Sequence, residues 1–147
     1  MALRMIREAG DVCLEKKCRE VEKFDSKLHE LLDDMKETLQ KANGVGLAAP
    51  QVGMLKRLFI INTDDDIIEF MNPKIISTEG SIIDVEGCLS VPGKAGTVER
   101  PKKATVRAQD RNGDFFEFTG EDIIARCICH ENDHLDGILY TSKVIEY

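Results

Sequence analysis

Positions 26–42 carry apolar residues at the spacing of one face of an α-helix. The apolar positions fall at i, i+3, i+4, i+7 and i+11: Leu28, Leu31, Leu32, Met35 and Leu39. Such a stripe predicts an amphipathic helix that buries one side and leaves its charged side in water. Asp25 or Ser26 can cap the first turn, and Asn43-Gly44 predicts a left-handed stop after about Ala42.

The middle of the chain consists of short apolar and β-branched runs, which predict strands rather than helices. Six segments fit this pattern: 58–62, 67–71, 74–77, 81–85, 104–109 and 115–118. Residues 64–66 and 111–114 are rich in Asp, Asn and Gly and predict hairpin connections. Pro73 and Pro101 are expected at sheet edges or strand starts, because proline cannot donate a hydrogen bond to a neighbouring strand.

The segments before the first helix and after the strand region have their own patterns. Residues 5–24 are highly charged with scattered apolar positions, and they predict an arm with a weak helix. Residues 119–122 resemble a capping box and predict a second helix that runs to about Leu135 and is closed by Gly137. A helix, several short strands and a second helix together predict an α+β fold with mostly antiparallel sheet.

Composition excludes several classes of protein. The 147 residues are 42% apolar and 32% charged, as in ordinary globular chains, and we expect one domain spanning 1–147. No apolar run approaches the ~20 residues that span a bilayer, and the start lacks a signal-peptide pattern. An odd number of cysteines, five, argues against a disulfide framework. We therefore expect a cytoplasmic protein without a membrane partner.

The net charge of −7 makes the chain a poor general binder of nucleic acid, since phosphate groups require clustered Lys and Arg. Only residues 94–111 are locally basic, with six Lys and Arg against Glu99 and Asp110. A solvated face is the simpler explanation of such a run. We therefore expect no direct nucleic-acid specificity.

The strongest chemical signal is HENDH at 130–134, an HExxH sequence on a predicted helix. Histidines at i and i+4 lie one above the other, so His130 and His134 can bind one metal ion. Glu131 is rotated from His130 by about 100°, which suits a general base acting on a metal-bound water. Two exposed helix histidines remain the alternative. The third histidine, His29, falls on the polar side of the first helix and is expected to be solvated.

A catalytic metal site needs a third protein ligand and one open position. Cys88 is the best candidate, because EGCLS (86–90) follows a strand-like run and precedes a tight turn. The alternative for Cys88 is a buried core thiol. Cys127 competes, since it lies three residues before His130, but three ligands on so short a helix would crowd one side of the metal. We interpret Cys127 and Cys129 as core residues.

A loop containing glycine is the third candidate element. Residues 44–51 carry two glycines within three positions, which lets the backbone approach another group closely. The loop follows a helix and lacks the Lys-Ser/Thr of a phosphate-binding loop, so that interpretation is rejected. A plain helix stop would explain Gly44 but not the small apolar run that ends in Gln51.

Three sequences taken together resemble a known family. GVGLAAPQVG (44–53), EGCLS (86–90) and HENDH (130–134), in this order and at about these spacings, are similar to the three motifs of peptide deformylases. The resemblance covers about residues 5–140. It implies an α+β fold of antiparallel β-sheets packed around a central HExxH helix, with an N-terminal helix. It also implies a hydrolase that removes formate from N-formylmethionine at the start of newly synthesised polypeptides.

The resemblance assigns roles to the candidate residues. One divalent metal ion per chain is implied, and its ligands are Cys88, His130 and His134, with water in the fourth position. Metal-bound hydroxide attacks the formyl carbon, and Glu131 acts as general base before it protonates the leaving amine. The Gln51 amide and the Leu89 backbone N–H stabilise the oxyanion. The family favours Fe²⁺ in the cell, with Zn²⁺, Ni²⁺ or Co²⁺ as replacements.

The resemblance also implies how substrate binds. Gly46 pairs with the substrate backbone as an added strand, and apolar groups surround the methionine side chain. The implied substrate-binding set is Val45, Gly46, Leu47, Gly87, Arg126 and Cys127. Two positions depart from the family: Cys129 replaces a usual Gln, and Arg126 replaces an apolar residue near the methionine pocket. Docking on the ribosome through 94–111 is a further expectation.

Two other functions stay open at this point. An HExxH metalloprotease would cleave internal peptide bonds, but the cysteine and the glycine loop would then have no role. A non-catalytic, metal-stabilised binding module would close the site with a fourth protein ligand, for which Cys127 or Cys129 is available.

Overall fold

A five-stranded antiparallel sheet forms the largest part of the fold in the computed structural model, which describes residues 2–146. The helices and strands are α1 (Ser26–Ala42), β1 (Gly46–Ala48), β2 (Leu58–Asn62), β3 (Ile67–Glu79), β4 (Ile82–Gly87), β5 (Ala95–Arg100), β6 (Lys103–Gln109), β7 (Phe115–Glu121) and α2 (Ile123–Leu135). The sheet order is β1-β2-β3-β6-β7, and β4 and β5 form a separate two-stranded sheet. Neighbouring strands all pair antiparallel, which confirms the predicted α+β class.

Strand β3 is longer than the sequence predicts. The two predicted segments on either side of Pro73 are one strand, with a register shift between Met71 and Lys74 and a positive φ of 50° at Asn72. Pro73 therefore lies in an interior strand, and the expectation that it marks an edge or a strand start is wrong. At this register shift the strand pairing is interrupted, so Pro73 does not need to donate a backbone N–H to the neighbouring strand. Pro101 lies between β5 and β6, two residues before β6 begins at Lys103, close to the strand start that was predicted.

The sequence pattern misses two short strands, β1 and β5, whereas both predicted hairpins are confirmed. Strand β5 lies inside the basic run 94–111, and its buried positions are Gly96, Val98 and Arg100. An arginine and a glycine on the inward face hide the usual alternation of apolar and polar residues. Arg100 is only 4% exposed, so the expectation of a solvated basic face is wrong at this residue.

Helix α1 forms as its sequence predicts. The Asp25 side chain accepts a hydrogen bond from Leu28 N at 3.1 Å, and Asn43 ends the helix with a left-handed φ of 55°. The apolar stripe is 0–2% exposed and packs against residues of β1 and β2 in one core cluster. Burial of each large apolar side chain contributes about 1.5–3 kcal/mol to holding α1 on the sheet.

Helix α2 begins later than predicted. The end of β7 contains the predicted capping box, so that prediction is wrong, and Asp122 makes the turn into the helix with a φ of 55°. A Cβ on Gly120 would lie 2.5 Å from Cγ2 of Ile124, so only glycine lets β7 and the first helical turn meet so closely. Gly137, with a φ of 75°, closes the helix as predicted. Nine of the 13 helical residues are buried, so the HExxH sequence lies inside the molecule.

The N-terminal arm is extended rather than helical. Within its described part the one helical element is a 3-10 helix of four residues at Val12–Glu15, so the expected weak helix is reduced to one short turn. Backbone hydrogen bonds of 2.7 Å join Arg7 N to Gln51 O and Ala9 N to Ser90 O. The arm thereby connects the two loops that carry predicted site residues.

A charge cluster ties α1 to the sheet. Glu69 on β3 accepts hydrogen bonds from Arg111 at 2.9 and 2.5 Å. It also forms an ion pair with Lys36 at 3.1 Å. Arg111 also bonds Asp33 of α1 at 2.9 Å. Its carbonyl oxygen lies 2.8 Å from Nε2 of His29, so the expectation that His29 is solvated is wrong. Burial opposes ionisation of Glu69, but the hydrogen bonds and charges of Arg111 and Lys36 lower its pKa overall.

We predict that Glu69→Gln lowers the free energy of unfolding by about 1.5–3 kcal/mol at neutral pH, the range for hydrogen bonds to charged groups. Because the pKa of Glu69 lies below its ordinary 4.5 in the folded state, the carboxylate stabilises the fold above pH 4.5 and loses this effect as the pH falls through the folded-state pKa. Denaturant unfolding at several pH values should show a difference from the wild type that narrows in acid. Glu117→Gln, at an exposed position of β7, is the control and should change little. A difference that does not depend on pH would contradict the argument.

Candidate metal centre

One turn of α2 and the loop after β4 bring three candidate metal ligands together. His130 and His134 lie one turn apart on α2, and Cys88 directly follows β4. Their ligand atoms all lie within 4.8 Å of one another, and no other such group occurs among residues 2–146. The Sγ of Cys88 is 3.3 Å from Nε2 of His134. The side chains that the sequence singles out thus share one small volume.

The donor set and its spacing fit a metal ion. Bonds of ~2.3 Å to sulfur and ~2.1 Å to nitrogen at tetrahedral angles place ligand atoms about 3.5 Å apart, close to the 3.3 Å between Cys88 and His134. Oε1 of Glu131 is buried without a hydrogen-bond partner among the described residues. Such an acceptor is usually satisfied by ordered water or an ion. Within residues 2–146 the group holds three protein ligands, which leaves one tetrahedral position for water.

Glu86 fixes the orientation of His130. This glutamate is 6% exposed, and its Oε2 accepts a hydrogen bond from His130 Nδ1 at 2.5 Å. Arg100 donates to both Glu86 oxygens, at 3.0 and 2.7 Å, and its remaining terminal nitrogen donates to Asp133 at 2.7 Å. A carboxylate on Nδ1 selects the tautomer whose Nε2 is free to bind a metal and increases its basicity.

Burial and neighbouring charges give the ionisable groups different pKa values. In the metal-free protein, burial disfavours the charged form of His130, but the charge of Glu131 and nearby hydrogen-bond acceptors raise its pKa to about 10, so a metal ion would displace a proton from this imidazole. Burial and then the charge of His130 lower the pKa of His134 to about 3. Burial, with the charge of Glu86, raises the pKa of Glu131 to about 7. Burial also opposes ionisation of Glu86, but His130 and Arg100 outweigh it and lower that pKa to about 2.

The Gln51 side chain is held beside the cluster. It is 1% exposed, its Oε1 accepts from Ala48 N at 2.9 Å, and its Nε2 donates to Ser90 Oγ at 3.1 Å and to Cys88 Sγ at 3.6 Å. Ser90 N also donates to Cys88 Sγ at 3.4 Å. Leu89, which lies between Cys88 and Ser90 in the sequence, lines the adjoining cavity. The amide nitrogen of Gln51 and the loop that carries Leu89 therefore face the same space.

A cavity of about 480 Å³ opens beside the cluster, and residues of all three motifs line it. Five of the predicted substrate-binding residues are in its wall: Val45, Gly46, Gly87, Arg126 and Cys127. Leu47 differs from the prediction, because it is fully buried in the core cluster that includes α1. It lies outside the cavity since its strand position points it to the opposite side from Gly46.

The two cysteines of α2, Cys127 and Cys129, lie outside the three-ligand group. Cys127 is 7% exposed, and its Sγ is 4.0 Å from Oε2 of Glu131. Cys129 packs with Ala104 and Ala125 in a separate small cluster. Burial raises the pKa of both thiols, which suits neutral core residues.

Sequence reasoning did not assign Glu86, Arg100 or Tyr140. The ring centroid of Tyr140 lies 6.0 Å from that of His130. A signal for Glu86 was present, because it lies two residues before Cys88 at the end of a strand, where such residues share one face. No local signal indicates Arg100, which meets Glu86 from 14 residues further along the chain.

The fold and the cluster define the chain as a small α+β protein with a candidate Cys/His metal site. The family model described as Polypeptide deformylase matches residues 3–147. The chain is therefore a member of the polypeptide deformylase family, whose enzymes are hydrolases acting on N-formylmethionine peptides.

Individual relatives agree with this assignment over the full chain. The sequence is 57% identical over 147 residues to a peptide deformylase of Caldicellulosiruptor bescii, covering 100% of this chain and 89% of the relative. It is 53% identical to a peptide deformylase of Alkaliphilus metalliredigens, covering 99% of each chain. The crystal structure of a peptide deformylase from Legionella pneumophila superposes with a TM-score of 0.95 at 44% identity, covering 97% of this chain and 86% of the other. Among the described residues, no helix is long and apolar enough to span a membrane.

Gly46 is the position where the glycine loop meets α2. A Cβ added there would lie 2.6 Å from Sγ of Cys127 and 2.8 Å from Oε2 of Glu131. We predict that Gly46→Ala displaces Glu131 and lowers kcat/KM for a formyl-Met peptide by up to ~10²-fold, the effect of a 1 Å misplacement. Cys127→Ala alone should stay active, and the double variant should recover part of the loss because one of the two overlaps is removed. Full activity of Gly46→Ala would show that the contact is not tight in solution.

Proposed function

We propose that this chain removes the formyl group from N-formylmethionine at the N-terminus of newly synthesised polypeptides. One divalent metal ion, held by Cys88, His130 and His134, would assist the reaction. The observation that carries the proposal is that all three motifs meet at one cavity. The three ligand atoms lie within 4.8 Å of one another beside the buried Glu131 carboxyl.

The donor set supports a divalent transition metal. When bound, such an ion polarises a carbonyl oxygen and lowers the pKa of water toward ~7. A set of one thiolate and two imidazoles suits Fe²⁺, Zn²⁺, Co²⁺ or Ni²⁺. We propose Fe²⁺ in the cell, with Zn²⁺, Ni²⁺ or Co²⁺ as replacements.

Glu131 is the proposed general base and acid. Burial raises its pKa to about 7, so near neutral pH it can both accept and return a proton. It would take a proton from the water that adds to the formyl carbon. It would then give this proton to the amine nitrogen as the carbon–nitrogen bond breaks. The products are formate and a peptide with a free amino terminus.

Gln51 and Leu89 are the proposed oxyanion donors. Nε2 of Gln51 is held near Cys88 by its bond to Ser90, while Oε1 is held by Ala48. This fixed amide can stabilise the negative oxygen of the tetrahedral intermediate, together with the backbone N–H of Leu89. Each such donor is typically worth ~2.7–4 kcal/mol in the transition state.

The peptide part of the substrate is proposed to bind as an added strand. Gly46 on β1 and Gly87 on β4 both line the cavity, and both strands are at the edge of their sheets. An extended peptide can pair with such edges. Val45, Arg126 and Cys127 line the same cavity. Val45 and Cys127 would contact the methionine side chain, whereas the guanidinium of Arg126 is bonded to Glu86 and the buried Leu47 would act by fixing β1.

The setting of the reaction is also a proposal. We propose a cytoplasmic enzyme that meets its substrates as nascent chains. Ribosome docking through 94–111 stays a prediction. Fewer basic side chains of this segment are free to bind a partner than the sequence suggests. Arg100 and Arg111 are engaged in ion pairs with Glu86 and Glu69, so docking would depend on the other four basic residues.

We predict one metal ion per folded wild-type chain by elemental analysis. Cys88→Ala should lose the metal, since it removes one of three ligands, whereas Cys129→Ala and Cys127→Ala should keep it because both thiols lie outside the group. Zero or two metals in the wild type would contradict the proposed centre. Metal loss in Cys127→Ala but not in Cys88→Ala would show that the third ligand is wrongly assigned.

The proposed reaction is tested with three peptides and the metal-loaded protein. Formyl-Met-Ala-Ser should release formate. The acetylated analogue should react far more slowly, because its extra methyl group meets the oxyanion donors and its carbonyl is less electrophilic. A longer unblocked peptide should stay intact, whereas a metalloprotease would cut it internally and a binding module would leave all three peptides unchanged. Internal cleavage without formate release would overturn the proposed function even with the metal ligands correct.

The matched control for this experiment is Glu131→Gln, which is nearly isosteric. Its metal content should equal that of the wild type, while turnover should fall by ~10²–10⁴-fold, the usual contribution of general acid–base catalysis. Metal-replete Glu131→Gln with normal turnover would show that Glu131 is not the base.

A further inference from the structure

Arg126 occupies a position on α2 between the metal cluster and the two-stranded sheet. We propose that Arg126 is a positioning residue, which holds the Glu86 carboxylate against Nδ1 of His130 and does not read the substrate side chain. The inference rests on the proposed metal centre at Cys88, His130 and His134. It concerns how this chain keeps those ligands in place.

The polar contacts of Arg126 are with groups of β4 and β5. Its Nη1 donates to Oε1 of Glu86 at 2.9 Å and to the carbonyl oxygen of Val98 at 3.0 Å. Its Nη2 donates to the carbonyl oxygen of Ile82 at 2.9 Å. The residue is 9% exposed. Both terminal nitrogens are thus engaged with protein, although Arg126 contributes to the cavity wall.

Arg126 completes the set of donors around Glu86. A carboxylate offers about four acceptor sites, and here they are filled by two bonds from Arg100, one from Arg126 and one from His130. The bond to His130 is therefore one of four that share a single planar group. Without Arg126, Oε1 keeps one donor, and the carboxylate has more freedom to rotate away from the imidazole.

Arg126 also joins the two parts of the fold that supply the metal ligands. It is on α2 with both histidines, and its acceptors are Ile82 on β4 and Val98 on β5. Cys88 directly follows β4. A forked guanidinium can hold a carboxylate and two carbonyl groups at once, whereas a lysine ammonium lacks this planar geometry.

The same contacts argue against a substrate role. A guanidinium that turned into the cavity to meet an acidic side chain would lose its bonds to Glu86, Val98 and Ile82, and the loss of hydrogen bonds to buried acceptors is costly. We therefore expect Arg126 to give no preference for Glu over Lys at the first substrate position.

The experiment compares Arg126→Met and Arg126→Lys with Arg111→Met. Arg111 is the matched control, because its guanidinium also joins two elements by bonds to carboxylates, Asp33 of α1 and Glu69 of β3, and has no bond to Glu86. Metal-free proteins are titrated with Zn²⁺ against a chelator, and the visible spectrum of the Co²⁺ form reports ligand geometry. Steady-state kinetics use formyl peptides that begin with Met, Glu or Lys.

Arg126→Met should weaken Zn²⁺ binding by ~10–100-fold, as does loss of other groups that orient metal ligands. It should also change the Co²⁺ spectrum and lower kcat, with KM and the Glu-to-Lys rate ratio unchanged. Arg126→Lys should fall between Arg126→Met and the wild type. Arg111→Met should lower the melting temperature and leave the Zn²⁺ affinity and the spectrum unchanged.

Two results would overturn the inference, and a third would contradict the proposed centre instead. Unchanged Zn²⁺ affinity and Co²⁺ spectrum in Arg126→Lys and Arg126→Met would show that Arg126 does not position His130. A changed KM or Glu-to-Lys ratio with normal metal binding would assign Arg126 to the substrate. If Arg126→Met does not fold, Arg126→Lys supplies the comparison. A wild type that binds no metal would refute the proposed ligands and not the role of Arg126 alone.

Discussion

The buried carboxylate of Glu86 is the group on which the candidate centre depends. A buried charge loses several kcal/mol of hydration and is tolerated only when its acceptor sites are filled. Here Arg100 on β5 and Arg126 and His130 on α2 fill them. Because Glu86 itself is on β4, the three elements satisfy this charge only in one mutual arrangement. That arrangement also brings Cys88, two positions further along, against the histidines of α2. The packing of the two-stranded sheet and the assembly of the ligand cluster therefore obey the same constraint.

Close backbone approach is the second constraint, and it buries the Glu131 side chain. Gly120 lets the end of β7 meet the first turn of α2, and Gly46 lets β1 lie against Glu131 and Cys127. Side chains at either glycine would hold the strands away from the helix and let water in. With the strands in place Glu131 is 3% exposed, and this burial is the main reason why its pKa rises to about 7. The absence of a side chain at Gly46 and Gly120 therefore helps to raise the pKa of Glu131.

The parts of the fold that the sequence predicts well are those determined locally. Helix α1 has its apolar stripe, its Asp25 cap and its left-handed Asn43, and all three signals lie within the helix and its ends. The start of α2 was misplaced because pairing of β7 with β6 prevails over the capping signal at 119–122. In the site, the spacing of HExxH indicates the histidines directly. Arg126 was expected near the methionine pocket, but its hydrogen-bond partner Glu86 is 40 positions away. No local pattern encodes which of many acceptors a guanidinium reaches across a fold.

The two glutamates of the site show how environment divides the work between identical groups. Glu86 has four N–H donors and a pKa lowered to about 2, so it stays ionised and serves as a fixed anchor for His130. Glu131 is more buried, at 3% exposed against 6% for Glu86, but its Oε1 lacks a partner among the described residues and its pKa rises to about 7. Burial raises the pKa of both groups, so the lowered pKa of Glu86 comes from the donors and charges around it. A carboxylate with every site filled cannot take up a proton near neutral pH, whereas one with a free oxygen can. The arginines that gather on Glu86 and leave Glu131 unpaired therefore determine which carboxyl group is available to move a proton.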